Sequence, residues 1–261
     1  MLTLGIDSSG KTASAALMED GVVLSEYSAN IGLTHSQTLL PMVAEIFSRT
    51  GRKPEELSLI AVSAGPGSFT GLRIGAATGK GIALAYRIPM AEISTLEGLA
   101  FNVRECEAHI HPIMDARRNQ VYTAEFADGK LIGEEEAISV ETLTERINQA
   151  GGRHLFLGDA VPVYKEYLEA HLKVQHAYAG PGNSLQRAAS VAALGEKAMR
   201  AGRTVLSDAF RLSYIRVPQA ERERAAEGLR EYDILHDPAE IRHTQEEDKL
   251  KATNHVKDIR S

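Results

Sequence analysis

The 261-residue chain has no tryptophan and one cysteine, Cys106. A single cysteine excludes an internal disulfide framework and is typical of a reducing compartment. No apolar run approaches the ~20 residues that a membrane-spanning helix needs. Residues 1–6 carry neither a basic region nor a cleavage signal, so we expect a cytoplasmic protein without membrane association. Basic residues are outnumbered by acidic ones, 29 to 35, and the net charge of −6 argues against strong nucleic-acid binding by this chain alone.

Hydrophobic residues make up 43% of the chain, which is enough for a proper core. Their spacing predicts strands and helices in an order that restarts near Ile110. The predicted strands are 2–7, 12–18, 22–28, 58–63, 89–93, 110–114, 120–126, 130–134 and 155–157. The predicted helices are 35–50, 68–83, 94–103, 139–150, 162–170 and 185–201. We therefore predict an α/β fold with mixed sheets in two lobes, 1–105 and 106–218, followed by a charged tail at 219–261.

The most unusual stretch runs from Ala64 to Ala83, where a strand is broken by Gly-Pro-Gly and followed by a helix capped at Ser68. Gly71, Gly75 and Gly79 recur every fourth residue, so one face of this helix is nearly bare. Each glycine costs up to about 1 kcal/mol relative to alanine in a helix, which requires a compensating gain. Helical spacing alone leaves two alternatives open, namely tight internal packing and contact with another subunit.

Residues 5–12 match the phosphate-binding pattern G-x-x-x-x-G-K-[ST] and follow a strand. A P-loop also needs a helix that begins at the lysine. Only seven residues separate Lys11 from the turn Glu19-Asp20-Gly21, which suits a hairpin better. The alternative is a strand–turn–strand unit with Asp7, Ser8 and Ser9 as a candidate nucleotide loop, as in sugar kinases and actin-like ATPases.

Other candidate sites are incomplete. His35 begins a helix, but Leu39 occupies the position where a second histidine would complete a metal pair. Cys106, His109 and His111 lie close together in sequence without a fourth ligand, so local packing explains them. The segment 114–119 carries Asp115, Arg117 and Arg118, and is either a polar turn or part of a cleft between lobes. No set of nucleophile and base can be placed by spacing, so we predict no catalytic residues and no metal site.

These motifs together resemble the bacterial TsaB (YeaZ) family. The resemblance rests on Ile6-Asp7-Ser8-Ser9, on 35–41, on the glycine block 64–75, on 114–118 and on 214–222. It covers about residues 1–222, and the tail beyond lies outside the pattern.

This resemblance implies an actin-like (ASKHA) fold of two RNase H-like lobes. It also implies a role in making N6-threonylcarbamoyladenosine at position 37 of tRNAs that read codons beginning with A. Family members serve as a platform for a catalytic paralogue, TsaD, joined by the ATPase TsaE, and pair with themselves when alone. The paralogue binds metal through His-x-x-x-His, and Leu39 stands where the second histidine would be, so the resemblance implies a catalytically silent subunit. It also implies that this chain contacts tRNA only within the complex.

The resemblance assigns the partner interface to the helices that begin near His35 and Ser68. We expect this interface to include His35, Leu39, Gly71, Leu72, Gly75 and Gly79, with the three helical glycines facing outward. No cofactor is expected to be firmly bound, although ATP or ADP could bind at the cleft or at the subunit junction. The alternative functions are a stand-alone ATP-hydrolysing enzyme of the actin-like fold and, with less support, a metallopeptidase.

Overall fold

The structure is a computed structural model that describes residues 1–216, so the tail predicted at 219–261 lies outside the described residues. The described residues form one compact unit. None of the helices in this unit combines the length and the apolarity that crossing a membrane would require.

The first half of the chain forms a mixed sheet with strand order β3-β2-β1-β4-β5. β1 is antiparallel to β2 and parallel to β4, so the sheet changes from a meander to a parallel arrangement at its centre. The β2–β3 hairpin closes at Asp20 and Gly21, whose φ values of 49° and 82° suit a tight hairpin turn. The strands are β1 (Leu2–Asp7), β2 (Ala13–Glu19), β3 (Val22–Ala29), β4 (Leu59–Gly65) and β5 (Met90–Ser94).

Three α-helices belong to this half, and the residues at their N-termini explain where they begin. The Gln37 side chain accepts a hydrogen bond from the Thr34 amide, as the predicted capping box requires. Ser68 and Ser94 each accept from an amide in the first turn of the next helix. The helices are α1 (His35–Thr50), α2 (Phe69–Tyr86) and α3 (Thr95–Phe101).

The second half repeats the same topology with strand order β10-β9-β6-β7-β8. β6, β7 and β8 form an antiparallel meander, and β6, β9 and β10 run parallel. The short strand β10 is absent from the sequence-based prediction, which otherwise matches the order of elements. The elements are β6 (His109–Arg117), β7 (Gln120–Ala127), β8 (Lys130–Ser139), α4 (Val140–Ala150), β9 (Arg153–Leu157), α5 (Val161–His171), β10 (Gln175–Tyr178) and α6 (Ala188–Arg200).

The two halves exchange their last helices. Leu96 and Leu99 of α3 pack with residues of β6, β7 and β9 in the second sheet. Val191 and Leu194 of α6 pack on β4 and β5 in the first sheet. Phe210 then joins the core under α1 and α2. Residues 188–213 therefore pack largely on the first sheet, and a lobe taken as the continuous segment 106–218 is wrong for this part of the chain.

The repeated order, with a three-stranded meander extended by two parallel strands, is the topology of an RNase H-like lobe. Two such lobes in one chain form the actin-like fold, as the family resemblance implies. The prediction of two lobes is thus confirmed by the strand order of the two sheets.

Candidate functional site

The glycine face of α2 is packed inside the protein. A Cβ atom at Gly71 would lie 2.1 Å from the carbonyl oxygen of Ser8, and one at Gly75 would lie 2.3 Å from Ser8 Oγ. A Cβ at Gly79 would lie 2.8 Å from Cγ2 of Val62 on β4. Missing side chains thus let the α2 backbone approach β1 and β4, and Ser8 Oγ donates a 2.8 Å hydrogen bond to the Gly71 carbonyl. The prediction that these three glycines face outward is wrong.

Two of the other predicted interface residues are also interior. Leu39 of α1 and Leu72 of α2 are both 0% exposed, because each lies on the side of its helix that faces the sheet. His35 is half-buried, and its Nε2 lies 2.8 Å from the Gly10 carbonyl oxygen. In this conformation, five of the six predicted interface residues are therefore inaccessible to a partner.

The opposite sides of the same helices are exposed and largely apolar. Leu40 is 59% exposed and Leu84 is 73% exposed. The same sides of the two helices carry small residues, among them Gly81, around which an added Cβ would meet nothing within 4 Å. We call this surface the outer face of α1 and α2, and its residues are Leu40, Ala44, Arg73, Ala77, Gly81 and Leu84.

The sequence contains a signal for this face. Gly81 follows Gly79 by two residues and so lies off the four-residue glycine spacing, on the other side of the helix.

The candidate nucleotide loop after β1 is closed. The Asp7 carboxylate accepts hydrogen bonds from Ser9 N at 2.9 Å, from Ser9 Oγ at 2.6 Å and from Ser63 Oγ at 2.6 Å. Burial raises the pKa of Asp7 above its usual value, and these hydrogen bonds oppose that effect. Asp7, Ser8 and Ser9 are each at most 2% exposed, and the Ser68 amide covers the loop by donating to the Ser9 carbonyl at 2.7 Å.

Beyond Ser9, the same loop meets polar groups from the second half of the chain. The Gln186 side chain is 2% exposed and packs on Gly10, where a Cβ would lie 2.4 Å from Gln186 Nε2. Neither amide atom of Gln186 has a hydrogen-bond partner within residues 1–216. Lys11 is exposed nearby. Burial raises the pKa of Asp159 above its usual value, and the charge of Lys11 partly opposes that effect.

Residues 13–19 form strand β2 rather than a helix. The phosphate-binding pattern at 5–12 is therefore not a P-loop, and the strand–turn–strand alternative is correct. At the other hairpin, Arg117 and Arg118 lie in the exposed turn between β6 and β7 with φ values of 61° and 55°. Asp115 also accepts a bond from Arg117 N at 2.8 Å, as expected for a polar turn.

The histidines after Cys106 are used in contacts between strands. His109 Nδ1 lies 2.6 Å from Glu125 Oε1, and His111 Nε2 lies 2.9 Å from His154 Nδ1. His154 Nε2 faces a main-chain carbonyl, which only accepts, so His111 is the donor in the pair. Burial lowers the pKa of His111 to about 3. Within the described residues, no three side chains of His, Cys, Asp or Glu are placed to hold a metal ion.

Comparisons with known proteins agree on one family. The family model described as "TsaD: tRNA N6-adenosine threonylcarbamoyltransferase" matches residues 23–220. A Bacillus subtilis protein named tRNA threonylcarbamoyladenosine biosynthesis protein TsaB is 35% identical over 65% of this chain and 76% of its own length. The Escherichia coli protein of the same name is 34% identical over 60% of this chain and 71% of its own length.

A solved structure supports the same assignment. A Pseudomonas aeruginosa protein, described as similar to the peptidase YeaZ, superposes with a TM-score of 0.71 at 26% identity. The match covers 82% of this chain and 99% of that protein. The sequence motifs, the repeated strand order and these relatives lead to one conclusion: the chain belongs to the TsaB (YeaZ) family and shares the domain that the TsaD model describes.

Proposed function

We propose that this chain is the non-catalytic platform subunit of a tRNA threonylcarbamoyltransferase. In this proposal it binds a TsaD-like catalytic paralogue, which transfers the threonylcarbamoyl group to N6 of adenosine 37 in tRNAs that read ANN codons. A TsaE-like ATPase joins the two subunits, and tRNA is bound through the complex in the cytoplasm. The observation that carries the proposal is the exposed, small and apolar outer face of α1 and α2 on a member of the TsaB family.

A silent role in catalysis is supported by the first turns of α1. The position four residues after His35 carries Leu39, whose side chain is 0% exposed in the core. A metal ligand there would have to face solvent or a cleft, whereas this position faces the sheet. His35 instead contacts the Gly10 carbonyl. We therefore assign the chemistry of the transfer to the paralogue.

The outer face of α1 and α2 has the properties of a helix-docking surface. Besides the exposed apolar side chains of Leu40 and Leu84, it has exposed small residues at Ala44, Ala77 and Gly81, where a partner helix could approach closely. Helices in contact lie about 8–10 Å apart, and the shortest distances require small side chains. In the absence of the paralogue, we propose that two copies of this chain pair through the same face.

Gly81→Arg tests this proposal without disturbing the fold. No heavy atom lies within 4 Å of an added Cβ, so the arginine side chain can extend into solvent. Arginine is also a better helix former than glycine by up to about 1 kcal/mol, which protects the monomer from destabilisation. We expect the variant to lose co-purification with the TsaD-like paralogue, and cells with only this variant to lose threonylcarbamoyladenosine from their tRNA.

The matched control is Gly182→Arg, which places the same side chain at another exposed glycine with open surroundings. This control should bind the paralogue as the unmodified chain does. A Gly81→Arg protein that is folded and still assembles fully would refute docking through this face. Loss of assembly in both variants would show that added positive charge, rather than position, is responsible.

Nucleotide binding by this chain is a second candidate function, favoured by exposed Lys11 and by the Gln186 amide beside Gly10, which has no hydrogen-bond partner among residues 1–216. A nucleotide phosphate here would require the loop to open, because Asp7 and Ser9 are at most 1% exposed and hydrogen-bond to each other. Calorimetric titration with ATP and magnesium tests this function. Micromolar binding that Gln186→Leu removes would support it, and the absence of heat at millimolar ATP would contradict it.

A further inference from the structure

A small cavity lies in the second half of the chain, between α4 and the face of the second sheet on which α4 packs. It has a volume of about 120 Å³. Alternate residues of a strand share one face of a sheet, and on this face core residues are followed by polar ones toward the cavity. The core residues are Ile113, Val121 and Phe156, and the cavity-lining residues two positions along the same strands are His111, Thr123 and His154.

An irregularity in the pairing of β7 with β8 brings acidic side chains to this cavity. The register shifts between Thr123 and Glu125, where β8 has the longer path. Such a bulge redirects side chains and is frequent beside functional sites. Glu134 and Glu136 of this part of β8 line the cavity, whereas Glu135 between them accepts a hydrogen bond from the residue that caps α3.

The lining of the cavity carries an excess of negative charge. Its charged residues are three carboxylates and one guanidinium, namely Glu125, Glu134, Glu136 and Arg146. Arg146 Nη1 pairs with Glu136 at 2.7 Å, and His109, which does not line the cavity, lies 2.6 Å from Glu125. When both pairs are counted as neutral, Glu134 is left, and it has no ion pair within residues 1–216. The lining therefore favours a cation.

The interior of the cavity has polar groups that lack partners. Thr123 is 4% exposed, and its Oγ1 is buried with no hydrogen-bond partner within residues 1–216. Buried hydroxyl groups are nearly always hydrogen-bonded, so this one lacks an expected partner. His111 is 2% exposed and donates through Nε2 to His154, which leaves Nδ1 as its acceptor. Both groups can accept a hydrogen bond from an N–H donor.

We propose that this cavity binds the ammonium group of a small aliphatic amine. The ammonium group donates hydrogen bonds to Thr123 Oγ1 and to the Glu134 carboxylate, and the alkyl chain packs on Leu143 and Ile147 of α4. A metal ion fits less well, because within the described part of the chain no three side chains of His, Cys, Asp or Glu are placed to hold one.

The size of the cavity limits the amine to a few carbon atoms. Its volume of about 120 Å³ is well below the ~300–1,000 Å³ of sites for larger ligands. This favours a free amine over a lysine side chain, which would bring a polypeptide backbone with it. The cavity is separate from the outer face of α1 and α2, so its occupancy is independent of the proposed platform function.

The test uses butylammonium as the probe, with 1-butanol and butyrate as matched ligands of equal chain length. Calorimetry and two-dimensional NMR on the full chain measure affinity and location. We expect butylammonium to bind more tightly than either matched ligand, with chemical-shift changes at Thr123, Gly133 and Ile147. Equal or tighter binding of butyrate would overturn the proposal, and so would shift changes confined to other surfaces or no butylammonium binding at millimolar concentration. Tighter binding of Nα-acetyl-lysine amide would overturn the assignment to a free amine.

Two variants separate the charge from the hydroxyl group. Glu134→Gln should weaken butylammonium binding at least about threefold and leave 1-butanol binding unchanged. Glu166→Gln, at an exposed glutamate of α5 that does not line the cavity, is the control and should bind butylammonium normally. Equal butylammonium affinity in these two variants would overturn the role of Glu134.

Thr123→Val removes the buried hydroxyl and keeps the shape of the side chain. Because this hydroxyl has no partner within residues 1–216, the variant should unfold at the same or a higher urea concentration. It should nevertheless bind butylammonium more weakly than the unmodified chain. A folded Thr123→Val protein with unchanged butylammonium affinity would overturn binding inside the cavity.

Discussion

Replacing Gly75 by alanine should destabilise the protein, although alanine is the better helix former by about 1 kcal/mol. The added methyl group would lie 2.3 Å from Ser8 Oγ, a distance at which one of the two atoms must move. Overpacking of this kind costs about 1–3 kcal/mol. Displacing Ser8 Oγ would also break its buried hydrogen bond to the Gly71 carbonyl, at a further cost of about 0.5–1.5 kcal/mol. The expected net loss is roughly 1–3 kcal/mol in the free energy of unfolding.

Urea unfolding followed by circular dichroism measures this loss as a lower midpoint at an unchanged slope. Gly81→Ala is the control, because its methyl group meets no atom within 4 Å and only the helix-propensity gain remains. It should therefore raise the midpoint. The double variant Ser8→Ala, Gly75→Ala removes the clashing oxygen, so its loss should be smaller than the sum of the single losses. The packing argument fails if Gly75→Ala is as stable as the unmodified chain.

Three further outcomes follow from buried contacts. Burial lowers the pKa of His111 to about 3 in the folded chain, against 6.5 for a free histidine. Between these two pH values the unfolded chain binds a proton that the folded chain does not bind. The free energy of unfolding should fall as the pH drops from 6.5 toward 3, by up to about 1.4 kcal/mol per pH unit, and His111→Gln should flatten this slope in urea titrations. Asp7→Asn places an amide donor among three existing donors and should lower stability by about 1–3 kcal/mol, measured by the urea midpoint. Gly195→Ala puts a methyl group 2.4 Å from the Ala61 Cβ where α6 crosses onto β4, so it should lower the melting temperature, whereas Gly182→Ala should not.

Local signals predicted the elements well because each signal acts within a few residues. Asp20-Gly21 adopts the positive φ values that a tight hairpin needs, and the Thr34–Gln37 spacing sets the start of α1. The repeat of strands and helices in the two halves was visible for the same reason. β10 was missed because a four-residue strand between a helix and a loop has too short a pattern to detect.

The packing partners of the helices could not be derived in this way. Periodicity identifies the apolar side of α3 and of α6, but it does not say which sheet covers that side. Both helices cross to the opposite sheet, as Leu99 and Val191 show. Four-residue spacing likewise places Gly71, Gly75 and Gly79 on one face without saying whether that face is inside or outside. The family resemblance assigned their helix to a subunit contact, and the outward orientation inferred from it is wrong.

The glycines of α2 fall into two groups, according to whether each one permits a packing contact within the monomer. Gly75 and Gly79 permit close contact of the helix backbone with β1 and β4, which compensates for their low helix propensity. Gly81 has the same low helix propensity, but no atom of residues 1–216 lies within 4 Å of a Cβ added there. Its low helix propensity is therefore not offset by side-chain packing within residues 1–216, and Ala77 and Leu84 of the same helix are exposed as well. An exposed glycine lets another backbone approach closely, which is why we propose the outer face of α1 and α2 as the partner surface.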